Sequence, residues 1–114
     1  MKEARLVGDD KAQLTEVLRE LMSTHELVVV TGGLGPTLDD VTRHAAASAC
    51  GLELVEDGDT IEQLRAFWRE RDREMPDSNR RQALMPSGAL RLMNVHGTAP
   101  VSYTHLTLPT ILRV

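Results

Sequence analysis

Cysteine, aromatic residues and long apolar runs are all scarce in this 114-residue chain. The one cysteine, Cys50, permits no internal disulfide and fits a reducing compartment. Phe67, Trp68 and Tyr103 are the only aromatics, so the core must be built from Leu, Val, Ile, Ala and Met. The same scarcity removes the stacking platforms on which single-stranded nucleic acid is bound, and a net charge of −4 removes the basic footprint. No apolar run approaches the roughly 18 residues of a membrane-spanning helix. Met1-Lys2-Glu3-Ala4-Arg5 lacks the apolar stretch of a signal peptide. The expected setting is the cytoplasm, with neither nucleic acid nor membrane as partner. What is present, 41% hydrophobic and 26% charged residues, is the balance of a globular chain long enough for one domain.

Periodicity divides the chain into alternating helix and strand. Ala4 to Val7 reads as a short strand ending at Gly8. Leu14, Val17, Leu18, Leu21 and Met22 fall on one helical stripe, with Asp10 and Gln13 spaced as in a capping box. Glu26 to Thr31 is apolar and β-branched through its middle, the pattern of a strand covered on both faces. A helix from about Asp39 to Cys50 follows, with Val41, Ala45, Ser48 and Ala49 as a small-residue face and Gly51 at the C-terminal cap. Leu52 to Val55 reads as a strand, Asp59 to Arg73 as a helix with Ile61, Leu64, Phe67 and Trp68 inward, and Ser78 to Leu84 as a short helical piece. Ala89 to Met93 reads as a strand and Asn94 to Pro100 as a loop. The alternation predicts a layered α/β domain.

Chemistry concentrates between Val28 and Thr42. A buried strand delivers the chain to Gly32, Gly33 and Gly35, where backbone N–H groups can turn to a ligand without a Cβ in the way. The next helix presents its unpaired N–H groups to the same space, which suits a phosphate. Asp39 and Asp40 stand beside that cradle. Carboxylates and phosphate repel unless a cation lies between them, and a hard divalent ion such as Mg²⁺ bridges both. The alternative is that the acids only cap the helix, because Thr37-x-x-Asp40 and Asp39-x-x-Thr42 are both spaced as capping boxes. The glycines match neither the dinucleotide fingerprint nor the P-loop, and no lysine follows them. Other polar residues carry less: His25 and His44 read as surface residues, His96 lies in a loop, and Cys50 reads as a small core residue.

Thr31-Gly32-Gly33-Leu34-Gly35-Pro36-Thr37 followed by Asp39-Asp40-x-Thr42 resembles the signature of the CinA N-terminal domain, a branch of the MoaB/Mog molybdopterin-binding superfamily. Met75-Pro76-x-Ser78-Asn79-Arg80-Arg81-Gln82-Ala83-x-x-Pro86-x-Gly88-Ala89 and Asn94-x-x-Gly97-Thr98-Ala99-Pro100 are similar to later motifs of that family, in the same order. The resemblance implies a three-layer α/β/α domain with a mostly parallel mixed sheet. It also implies metal-dependent hydrolysis of a nucleoside diphosphate compound such as ADP-ribose. Molybdopterin binding and adenylation, or a non-catalytic module regulating an attached nicotinamide-nucleotide amidase domain, are the alternatives. Carried over, Thr31, Gly32, Gly33, Gly35, Thr37 and Thr42 bind phosphate, and Asp39 and Asp40 hold the metal and act in catalysis. Asn79, Arg81 and Gln82 contribute from the second block, where a solvated basic turn is the plainer alternative. The partner is then a small nucleotide or pterin, and a homo-oligomer is expected.

The family's opening strand, loop and helix are not matched, so residues 1–100 are expected to be an incomplete domain of this type. At Val101, where the family continues with Gly, the similarity stops. Val101 to Val114 resembles translated sequencing-adapter read-through, although its alternation also fits a strand. Deleting residues 101–114 is expected to leave the melting temperature unchanged; a fall measured by calorimetry would make the segment part of the fold.

Overall fold

The computed structural model describes residues 2–92, 101–105 and 110–113. Helix α1 (Lys11–Thr24) starts where expected, because the Asp10 carboxylate accepts the Gln13 N–H at 3.0 Å. Strand β1 (Leu27–Val30) follows, then helix α2 (Thr42–Cys50), strand β2 (Leu54–Glu56) and helix α3 (Gly58–Arg69). A 3₁₀ segment (Asp77–Ala83) leads into β3 (Leu84–Pro86), and β4 (Leu90–Leu92), β5 (Val101–His105) and β6 (Thr110–Arg113) complete the order.

One sheet runs β1-β6-β5-β4, and β2 with β3 forms a separate antiparallel pair. The larger sheet is mixed: β1 and β6 are parallel, with Val28 beside Ile111, whereas β5 is antiparallel to both neighbours. Antiparallel pairs thus outnumber the parallel one among the described strands. Both β5 and β6 fall in residues 101–114, expected to be a read-through tail outside the domain; the structure instead pairs them with β1 and β4 in the larger sheet, as the strand-like alternation allows. The loop expected over Asn94 to Pro100 lies outside the described residues.

The main core lies where α1 and α2 meet β1. Leu18, Val28, Ala45 and Ala46 are buried there, with Leu14, Leu21, Met22, Val30, Ala49 and Cys50 packed around them. Alanine on α2 lets the two helices approach closely. The buried side of α2 runs through Thr42, Ala45 and Ala46, so the expected face including Val41 and Ser48 is rotated by about one residue. A second cluster joins Ile61 and Leu64 of α3 to Ala83, with Met75 against it.

Several expectations need correction. Residues 4–7 form no strand; Arg5 instead reaches the Glu20 carboxylate on α1 at 2.8 Å, and Leu6 is fully exposed. β1 is covered on one face only, with Val28 buried but Leu27 and Val29 each 55% exposed. Helices α1 and α2 both pack on the Val28 side, and among the described residues nothing covers the other. Helix α3 begins at Gly58, since Asp57 caps it through the Thr60 N–H at 3.0 Å, and it ends at Arg69 rather than Arg73. The chain there enters a turn in which Asp72 takes a positive φ of 52°. Phe67 and Trp68 are only half-buried and meet edge to face at 5.9 Å.

Leu18→Ala is expected to cost about 2–5 kcal/mol, because Leu18 is 2% exposed at the centre of the main core. Val29→Thr, on the open face of β1, is expected to change stability by less than about 0.5 kcal/mol. Urea denaturation of the two variants checks the contrast.

Candidate functional site

The glycine segment after β1 is a folded loop held from behind by α2. Gly32 and Gly33 take positive φ values of 86° and 66°, which side chains with a Cβ rarely adopt. The Thr42 hydroxyl donates to the Gly32 carbonyl at 2.7 Å, and its backbone N–H donates to the Gly33 carbonyl at 3.3 Å. A Cβ built on Gly33 would lie 2.2 Å from the Thr42 Oγ1, so glycine is required there by the loop's own packing. Thr42, expected as a ligand contact, is buried and spends its hydroxyl on the loop.

Arg43 holds the next stretch. Its side chain is 1% exposed, with Nη1 donating to the Gly35 carbonyl at 3.0 Å and Nη2 to the Leu34 carbonyl. The buried Nε has no hydrogen-bond partner. Burial lowers the Arg43 pKa to about 10, and the Asp40 charge opposes that shift. The side chain therefore stays charged at neutral pH. Sequence reasoning missed Arg43, because an arginine next to a histidine in a helix carries no sequence signal of burial.

The paired acids separate in role. The expected helix from Asp39 begins only at Thr42, so both acids lie in the loop and not in a first helical turn. The Asp40 Oδ2 accepts from the Thr37 hydroxyl at 2.6 Å and from the Thr37 N–H at 3.0 Å, and the Asp40 N–H donates to the Thr37 carbonyl at 3.1 Å. This closes a capping-box-like ring around a turn, not a helix end. The Thr37 hydroxyl bond, aided by backbone N–H groups and Arg43, holds the Asp40 carboxyl below its ordinary range, against a desolvation that raises it. A Cβ on Gly35 would meet the Asp40 carboxylate at 2.7 Å. Asp39, Thr31 and Gly32 are exposed on the outer side of the loop.

From the second block, Arg81 reaches the loop, its Nη1 donating to the Pro36 carbonyl at 3.4 Å. Asn79 instead donates to the Gln82 Oε1 at 3.2 Å, and Gln82 is buried. The cleft beside Asp40 takes in Arg81 but neither Asn79 nor Gln82. His96 lies outside the described residues. Among the described residues, no three His, Cys, Asp or Glu side chains converge to hold a metal, and no helix is long and apolar enough to cross a membrane.

The family model described as a probable molybdopterin binding domain matches residues 1–111. The chain belongs to that molybdopterin-binding domain family. Its similarities within the family run to CinA-like proteins. One from Geobacter sulfurreducens is 46% identical over 93 residues, covering 82% of this chain and 22% of that protein. Another, from Syntrophotalea carbinolica, is 39% identical over 100 residues, covering 88% of this chain and 24% of that one. The crystal structure of the CinA protein from Thermoplasma acidophilum matches with a TM-score of 0.83 at 25% identity, over 93% of this chain and 62% of that one. The MoaB/Mog-like α/β fold of the domain is thereby shown. The chain spans about a quarter of the length of these curated relatives.

Gly33→Ala is expected to destabilise the domain by about 1–3 kcal/mol, since it adds a collision with Thr42 to an unfavourable φ. Gly32→Ala, where nothing lies within 4 Å of the added Cβ, is expected to cost only the backbone term, about 1 kcal/mol. Chemical denaturation of both variants separates the collision from the backbone conformation.

Proposed function

We propose that the glycine loop binds the phosphates of a nucleotide-like ligand. In the whole protein it then serves metal-dependent hydrolysis of a nucleoside diphosphate compound such as ADP-ribose. The observation that carries this reading is the loop's hydrogen bonding. Thr42 and Arg43 occupy the carbonyls of Gly32, Leu34 and Gly35. What the loop then offers to a ligand is chiefly N–H groups, which favour an anion.

The acids beside the loop fit a divalent ion. Asp40 is kept ionised by its bonds to Thr37, and Asp39 is exposed a residue away. Mg²⁺ is commonly held by one or two carboxylates together with phosphate oxygens and water, so two acids suffice when phosphate completes the set. When bound, the ion supplies Lewis acidity to the diphosphate linkage. The protein's own part is positional: Thr37 holds the Asp40 carboxylate in one orientation, and Arg43 keeps the loop from moving away from it. Thr31 and Gly32 line the open side where the ligand enters.

A second reading, molybdopterin binding or its adenylation, is favoured by the description of the matching family. The same phosphate cradle serves a pterin phosphate, so the readings differ in what is turned over.

Asp39→Asn and Asp40→Asn, made in the full-length protein, are expected to lower Mg²⁺-dependent turnover of ADP-ribose by about a hundredfold or more, the scale of losing a group that stabilises developing charge. Acids that merely brace the loop would instead cost about 0.5–2 kcal/mol of stability with turnover retained. Wild-type protein that binds a pterin phosphate tightly but leaves ADP-ribose intact would favour the second reading.

A further inference from the structure

Beside the glycine loop, three basic side chains from three separate elements converge on one cleft of about 220 Å³. Lys11 comes from the start of α1, His44 from α2 and Arg81 from the 3₁₀ segment, with Thr37 and Asp40 also on the wall and Leu38, Val41 and Leu84 completing the lining. Far apart in sequence, they meet only because α1 packs on α2 and the 3₁₀ segment lies along the loop. Among the described residues neither Lys11 nor Arg81 has a carboxylate partner, although arginine–carboxylate pairs form elsewhere. Arg81 is fixed in place by the Pro36 carbonyl. Asp40, the one acid on the wall, has its Oδ2 taken twice by Thr37. Positive charge therefore exceeds negative charge in a small space.

We propose that this cleft is the subsite for the second phosphate group of a diphosphate ligand whose first phosphate sits on the glycine loop. The inference rests on the proposed phosphate site and extends it to residues outside the glycine motif. The volume is below the roughly 300–1,000 Å³ of a pocket that encloses a whole small molecule, which suits a single charged group. Lys11 supplies a mobile point charge and Arg81 a planar fork fixed to the loop. Burial first, and then the charges of Arg43, Lys11 and Arg81, lower the His44 pKa, and either form of its imidazole carries a ring N–H that can donate to a phosphate oxygen. The nucleoside or pterin portion of the ligand then extends over the exposed Thr31 and Gly32 side.

Calorimetric titration of the full chain with inorganic phosphate and with inorganic pyrophosphate tests this. Lys11 is exposed, so Lys11→Gln leaves the core untouched, and an unchanged melting temperature confirms that the variant is folded. Wild type is expected to bind pyrophosphate more tightly than phosphate. Lys11→Gln should weaken pyrophosphate about tenfold, the scale of one charge-assisted contact, while leaving phosphate unchanged, and Lys11→Arg should restore it. Pyrophosphate affinity that is the same in Lys11→Gln as in wild type overturns the subsite and leaves the loop reading standing. Wild type that binds phosphate but gains nothing from pyrophosphate does the same. Wild type that binds neither anion overturns both.

Discussion

A guanidinium buried behind a glycine loop is the constraint on which the site depends. Charge is costly to bury, and Arg43 is tolerated at 1% exposure because two main-chain carbonyls receive it. Those carbonyls belong to Leu34 and Gly35, so satisfying the arginine and shaping the loop are the same event. Arg43 can reach them only because α2 sits close behind the loop, and α2 sits there because Ala45 and Ala46 let it settle against Leu18 and Val28. Small residues in the core thus determine the position of the polar loop at the surface.

Electrostatics then divides the loop into two sides. Toward α2, Asp40 is tied to Thr37 and faces the Arg43 charge; away from it, Asp39 stands in solvent. A carboxyl whose folded pKa lies below its ordinary value stabilises the fold at neutral pH, and that contribution disappears as pH falls through the depressed value. The turn from Thr37 to Asp40 is therefore best braced at neutral pH and loosens as the Asp40 carboxylate is protonated.

The sheet around the site is covered unevenly. Leu27 and Val29 present apolar side chains on the face of β1 that α1 and α2 do not cover, and apolar surface of that kind needs another layer to be stable in water. The family's three-layer architecture would place helices there, and this chain matches only about a quarter of its curated relatives' length. The apolar run from Leu27 to Val30 is what a strand between two helix layers requires, and only one layer is present among the described residues.

Local chemistry carried by consecutive residues was legible in the amino-acid order alone. Asp10 caps α1, Gly51 ends α2 in the left-handed conformation, and the aliphatic stripe of α1 forms the core, because each depends on neighbours within a few positions. The glycine segment could likewise be recognised as a tight loop next to paired acids. Sequence could not tell that Gly33 faces Thr42, that Asp40 turns back to Thr37 and not to a helix end, or that Asn79 donates to Gln82. Nor could it tell that Arg43, between Thr42 and His44, points inward. Periodicity assigns a side chain to a face, but the neighbour it meets there depends on how helices, strands and loops distant in sequence come to lie together. Lys11, His44 and Arg81 share a cleft for that reason alone. The sequence by itself determined which segments become helix, strand and glycine loop, since those choices rest on short-range sterics and hydrogen bonding; the packing of α2 against α1 and β1 decided which polar groups that loop would meet.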